Sequence, residues 1–214
     1  MKKILLIIVA ISALSTQIFA QKDAKEILDK ASNNFAGAGA MAAYFTMNVK
    51  DVKAKVTHSF DGSIQMKGNK FYISTPESDI WFDGKTQWIY LQNSEEVNIT
   101  EPGEEEIQML NPAVIFDLYK KGSKVKLLGE KKDIKQRSVY EIELIPANKS
   151  SEMQKIIILI NKADYMPVMF QIFYQNNIQN IIHINSYKTN QTLPDSTFVF
   201  DKKKFPDVEI IDLR

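Results

Sequence analysis

The 214-residue chain has no cysteine and two histidines, His58 and His183. Without thiols there is no disulfide scaffold, no cysteine nucleophile, no iron–sulfur cluster and no Cys-ligated zinc. A histidine-rich metal centre or a Ser-His-Asp centre would have to use one of the two imidazoles, and neither has a partner at metal-ligand spacing. Charge of one sign is lacking as well: 27 Lys+Arg stand against 26 Asp+Glu, a net of +1. Loss of Lys2 and Lys3 with a leader would make it −1. That balance excludes the strongly basic footprint of a nucleic-acid binder and a polybasic membrane anchor. Missing also are a G-x-S-x-G elbow, a P-loop and a dinucleotide fingerprint. The run Glu104-Glu105-Glu106 reads as a solvated helix start, not a cation site. No pair of carboxylates is singled out for glycoside chemistry. The sequence therefore points away from an enzyme and calls for no cofactor and no metal.

What is there begins with export. Lys2-Lys3, the apolar stretch Ile4–Leu14 and Ile18-Phe19-Ala20 form a charged start, a short apolar core and a small residue before a cut. That is the pattern of a secretory signal peptide over residues 1–20, with Gln21 opening a single domain over 21–214. The apolar core is too short to remain as a membrane span, and no later run reaches membrane length. The product is expected to be exported and soluble, which in a cysteine-free chain suits a periplasm.

The rest of the chain has a strong period of two. A helix over Ala24–Phe35 carries Ile27, Leu28, Ala31 and Phe35 on one side and stops at Gly37 and Gly39. In the following strand Val56, His58, Phe60, Gly62, Ile64 and Met66 share one parity. This places His58 as a packed or rim residue. Gly68-Asn69, Asp83-Gly84 and Asn176-Asn177 mark turns. The meander breaks at Pro102-Gly103. A short helix with Met109 and Leu110 is expected there, then a second begun by Asn111-Pro112, with Val114, Ile115, Phe116 and Leu118 as its apolar residues and Gly122 as its stop. Strands resume at Val125–Leu128, Val139–Ile145, Lys155–Ile160, Val168–Tyr174, Ile178–Tyr187 and Thr197–Phe200. His183 shares the parity of Asn185 and is expected in solvent. The class is α+β, mainly β: one antiparallel sheet of about eleven strands with helices on one face.

The sheet carries more apolar side chains than one helix and a short insertion could cover. Phe45, Met47, Phe60, Ile64, Met66, Phe71, Ile73, Trp81, Trp88 and Tyr90 crowd its first half. Either the sheet curls on itself, or one face holds an apolar ligand, for which methionine and aromatic linings are suited.

The stretch Asp83-Gly84-Lys85-Thr86-Gln87-Trp88-Ile89-Tyr90 resembles the tryptophan hairpin of the periplasmic outer-membrane lipoprotein carriers, the LolA-like family. The helix Ala24–Phe35, the Phe45–Met47 strand, Gly62–Lys67 with Phe71, the helix start Asn111–Phe116 and the strand Lys155–Ile160 followed by Asn161-Lys162-Ala163-Asp164 match it in order across most of the chain. The resemblance implies an unclosed eleven-stranded half-barrel with a helical lid over an apolar cavity. It implies a monomeric carrier that accepts triacylated lipoproteins from an inner-membrane transporter and passes them to an outer-membrane acceptor. The ten residues above would line the cavity. Met109, Leu110, Val114, Ile115, Phe116 and Leu118 would form the lid. Carriers of this family often have an arginine just after the Gly62–Lys67 strand that ties lid to barrel; here Lys67 and Lys70 stand nearby, without a guanidinium fork. The competing reading is an envelope lipid-sensing or regulatory module on the same half-barrel, disfavoured because such regulators usually carry a second domain.

Overall fold

The computed structural model describes residues 23–103, 112–148 and 151–214. The expected leader, and the short helix with Met109 and Leu110, lie outside the described residues. A helix, α1, spans residues 23–37. Six strands follow: β1 (Met41–Asp51), β2 (Val56–Lys67), β3 (Lys70–Ser74), β4 (Ser78–Phe82), β5 (Gln87–Leu91) and β6 (Glu96–Thr100). Helix α2 (Pro112–Lys120) precedes β7 (Lys124–Lys132), β8 (Ser138–Ile145), β9 (Met153–Asn161), β10 (Pro167–Tyr174) and β11 (Ile178–Lys188). A last strand, β12 (Glu209–Asp212), closes the series. The strands form one sheet in the order β12-β6-β5-β4-β3-β2-β1-β11-β10-β9-β8-β7. Its two end strands do not meet, so it is an open half-barrel, as expected.

The long β1–β11 ladder joins the halves, pairing Phe45 with Ile184 and Met47 with Ile182. Among the described residues every pairing is antiparallel except β12 on β6. The twelfth strand was not expected. Glu-Ile-Ile-Asp is too short to show a period, and its partner lies far away in the sequence. Thr197–Phe200 is not a strand: Pro194 introduces a 3-10 turn over Asp195–Phe198. The β-branched and aromatic residues there carry strand propensity, but proline's fixed φ and the following aspartate favour a turn.

One face of the sheet packs on α1 and α2. Ala24, Leu28 and Ala31 are fully buried against it, with Ile156, Ile158 and Ile160 of β9. The opposite face has a smaller cluster of Val139, Ile157, Leu159, Val168 and Met169. Burial on both faces accounts for the unbroken isoleucine run of β9. The β7–β8 turn reaches over this second face, where Lys135 Nζ donates to Asn185 O at 3.0 Å. Asp133 organises the turn, accepting from Lys135 N at 2.9 Å and from Arg137 Nε at 2.7 Å. Burial alone would raise its carboxyl, but the Arg137 hydrogen bonds and charge overcome that and hold it below the usual range. His183, half-buried, lies close enough to feel Asp133 and Lys135. Burial lowers its pKa, Asp133 opposes, and Lys135 adds to the lowering. The expectation of a solvated His183 is thus corrected: alternation places it on the outer face but does not show that a turn comes back over it.

Candidate functional site

Register decides which side chains share a face, because directly paired residues point the same way. Met66 pairs with Phe71 and Ile64 with Ile73. Phe45 pairs with Gly62 and Met47 with Phe60. These seven expected cavity residues therefore stand together on the inner face. Trp81 pairs with Tyr72 and with Trp88, and Tyr90 with Val97, all on the outer face. Trp81, Trp88 and Tyr90 were expected in the same cavity; the structure separates them from it. The Asp-Gly hairpin was read correctly, but β4 runs Ile80-Trp81-Phe82, and only its odd or its even positions can face inward. Ile80 and Phe82 are the inward ones. The outer-face aromatics are covered by the C-terminal segment: Phe200 and Phe205 lie 5.5 and 6.0 Å from Trp81, and Phe205 lies 4.8 Å from Tyr90.

The inner face is graded. At the end where β1 starts the helices cover it, and Met41, Met66, Phe71 and Phe82 are buried. Helix α1 is fixed at this end, Asn34 Nδ2 donating to Asp164 O at 2.8 Å and Lys30 lying over the Tyr165 ring. Towards the other end Met47, Phe60, Ile80, Tyr174 and Ile182 are only partly buried, and His58, beyond Phe60, is exposed at the rim. Phe45 sits between these regions. Its ring crosses Gly62 so closely that a Cβ there would stand 2.5 Å from Phe45 Cζ. Among the described residues, the outcome is an apolar floor whose far end is only partly covered.

Ile115, Phe116, Leu118 and Tyr119 of α2 are buried. The Val114 side chain lies outside the described residues. Helix α2 is strapped to α1. The Tyr119 hydroxyl donates to Asp29, Lys120 Nζ donates to Ser32 Oγ at 3.1 Å, and the Phe116 and Phe35 rings lie 5.6 Å apart. Gly122, at φ +96°, ends the helix, and Ser123 Oγ donates to Leu118 O at 2.7 Å. Lys67 and Lys70 stand near the place of the family's arginine and turn to the C-terminal segment. Lys67 and Lys70 reach Asp195 at 2.9 and 2.7 Å, and Lys67 also donates to Leu193 O. They hold down the C-terminal segment. Their hydrogen bonds keep the Asp195 carboxyl at about 2.

A pocket of about 300 Å3 opens beside the strap, walled by Phe35, Met41, Met66 and Phe116, with Ser32 and Lys120 also lining it. Two polar side chains that sequence reasoning missed also face inward. Gln87 pairs with Phe82, and Asn180 with Ile172. Gln87 Nε2 and Asn180 Oδ1 are buried with no hydrogen-bond partner among the described residues. Parity arguments could have found both, since each interrupts an apolar face.

The architecture is thus a half-open sheet with an apolar inner face, a helix fixed across one end and a second strapped to it. The chain belongs to the family described as outer membrane lipoprotein carrier protein LolA, whose model matches residues 14–175. No curated protein sequence matches it. Its fold is similar to that of an uncharacterized conserved protein from Thermus thermophilus, at 13% identity and TM-score 0.58, covering 89% of this chain and 99% of that one. A DUF1329 family protein from Desulfovibrio piger is similar at 11% identity and TM-score 0.51, covering 87% and 99%. A putative outer membrane lipoprotein-sorting protein domain from Vibrio parahaemolyticus matches at 12% identity and TM-score 0.49, covering 83% and 97%.

Proposed function

We propose that this protein is a periplasmic carrier, not an enzyme, that holds the acyl chains of lipoproteins on its inner face and moves them from the inner to the outer membrane. The observation that carries the reading is the apolar floor from Phe45 through Met47 and Phe60 to Ile182, whose far end is only partly buried among the described residues. Helix α2 acts as the lid. Its partners would be triacylated lipoproteins, a releasing transporter in the inner membrane and an acceptor in the outer membrane.

A carrier must also let go. Three acyl chains of about fifteen methylenes carry on the order of 36 kcal/mol of gross transfer free energy at about 0.8 per methylene. Helix α2 buries Ile115, Phe116 and Leu118. Opening exposes that surface, and its cost offsets part of the gain from cargo, so affinity stays low enough for release.

The cysteine-free chain allows a direct test. One cysteine is placed at Ile115 and one on a facing rim position with disulfide geometry. The oxidised protein should stay folded yet fail to accept a triacylated lipoprotein, and reduction should restore acceptance. Equal acceptance by both forms would show that α2 is not the gate. Failure of the wild type to accept cargo at all would reject the carrier reading.

A further inference from the structure

We propose that the pocket between α1, α2 and the β2–β3 turn binds a single acyl chain ending in an anion, either a fatty carboxylate or the phosphate of a lysophospholipid. The proposal rests on the acyl-binding reading of the inner face but not on lipoprotein being the cargo.

Size is the first argument. About 300 Å3 is at the bottom of the range that houses small organic ligands, about 300–1,000 Å3. It suits one chain and is too small for the three of a lipoprotein. Wall chemistry is the second. Met41 and Met66 line the pocket together with Phe35 and Phe116. Thioethers and ring edges adapt to a flexible chain without asking for hydrogen bonds.

Charge is the third, and it selects the head group. Lys120 is exposed and lines the pocket, and among the described residues its ammonium meets the Ser32 hydroxyl, at 3.1 Å, and the Tyr119 ring. Among the described residues no carboxylate lies within ion-pair distance of it. Asp29, one turn earlier on α1, receives the Tyr119 hydroxyl. Gly68 forms part of the opposite lip. The turn that supplies it is flanked by Lys67 and Lys70, which share the single carboxylate of Asp195. Among the described residues, therefore, positive charge exceeds negative beside apolar walls. A neutral chain would fill the pocket and leave that charge unanswered. An anion would displace the weak Lys120–Ser32 bond with a charge-assisted one.

The test uses the full mature chain and three probes of matched length, each below its micelle threshold: oleate, oleoyl lysophosphatidylglycerol and oleyl alcohol. Calorimetric titration should give one site, with at least one anionic probe about fivefold or more tighter than the alcohol, the scale of one charge pair near a surface. Raising salt should narrow the gap. Lys120→Gln should bring the ratio of anionic to neutral affinity close to one. Met66→Trp, checked for folding by circular dichroism, should abolish binding of all three. Whichever anionic probe is tighter identifies the source. An alcohol that binds the wild type as well as both anions, or a ratio that survives Lys120→Gln, would overturn the proposal. Binding of a triacylated lipopeptide is measured alongside. A chain that binds lipopeptide but shows no anion preference loses this inference alone. One that binds oleate but no lipopeptide keeps it and loses the lipoprotein reading.

Discussion

Phe116→Ala distinguishes a lid from a fixed piece of core. Phe116 is 1% exposed, and its ring lies 5.6 Å from that of Phe35 at 49°. Truncating such a side chain costs about 3–5 kcal/mol, of which the ring pair accounts for about 0.5–1.5 kcal/mol. If α2 opens while the sheet stays folded, the loss falls on the docking of α2. A loss of about 3 kcal/mol is roughly a hundredfold in an opening equilibrium. Amide hydrogen exchange in α2 should therefore accelerate by about two orders of magnitude while the amides of β9 and β10 hardly change. Trp81 and Trp88 stand on the outer face, so their fluorescence in urea follows the sheet, and its midpoint should move little. If the whole loss appears in global unfolding, with α2 exchanging no faster than the central strands, α2 is core and the gating argument is wrong.

Gly62→Ala places a methyl 2.5 Å from Phe45 Cζ and 3.0 Å from Ser74 O. Overpacking of that kind should destabilise by about 1–3 kcal/mol, and Phe45→Leu in the same chain should recover part of it; strictly additive losses in urea melts would contradict the contact. Burial holds the His183 pKa below its ordinary 6.5, so its neutral form stabilises the fold above that pH. The contribution is lost as pH falls below 6.5. Thermal melts of His183→Gln should show a shallower decline between pH 7 and 5 than the wild type, and parallel curves would refute the assignment. Asp195, held at about 2, contributes at pH above its ordinary 3.8 and stops contributing as pH falls towards 2. Asp195→Asn should free the C-terminal segment and speed tryptic cleavage at Lys202–Lys204, whereas an unchanged rate would show that Lys67 and Lys70 do not hold it.

Much of the fold was legible because its signals are local. The alternation of β2, the Asp83-Gly84 turn, the Asn176-Asn177 turn and the Pro112 and Gly122 boundaries of α2 each fall within a few residues. Non-local features were not legible. The parallel pairing of β12 on β6 depends on a chain reversal that four residues cannot announce. The site was half legible. Phe45, Met47, Phe60, Ile64, Met66, Phe71 and Ile73 do share a face, since strict alternation carries them there. Trp81, Trp88 and Tyr90 have the opposite parity and stand on the outer face. In strands buried on both faces, an apolar side chain does not reveal its side. The strap from α2 to α1 through Tyr119 and Asp29 could not be read either, because a hydrogen bond between distant helices leaves no periodic trace.

The central claim is that acyl chains lie on the inner face. Photo-crosslinking tests it most directly, using a triacylated lipopeptide with a diazirine near the end of one chain, bound to the purified mature protein and mapped by mass spectrometry. Labels should fall on Phe45, Met47, Phe60 and Ile182. Labels on Trp81, Trp88 and Tyr90, or no more labelling than a peptide without acyl chains gives, would contradict it.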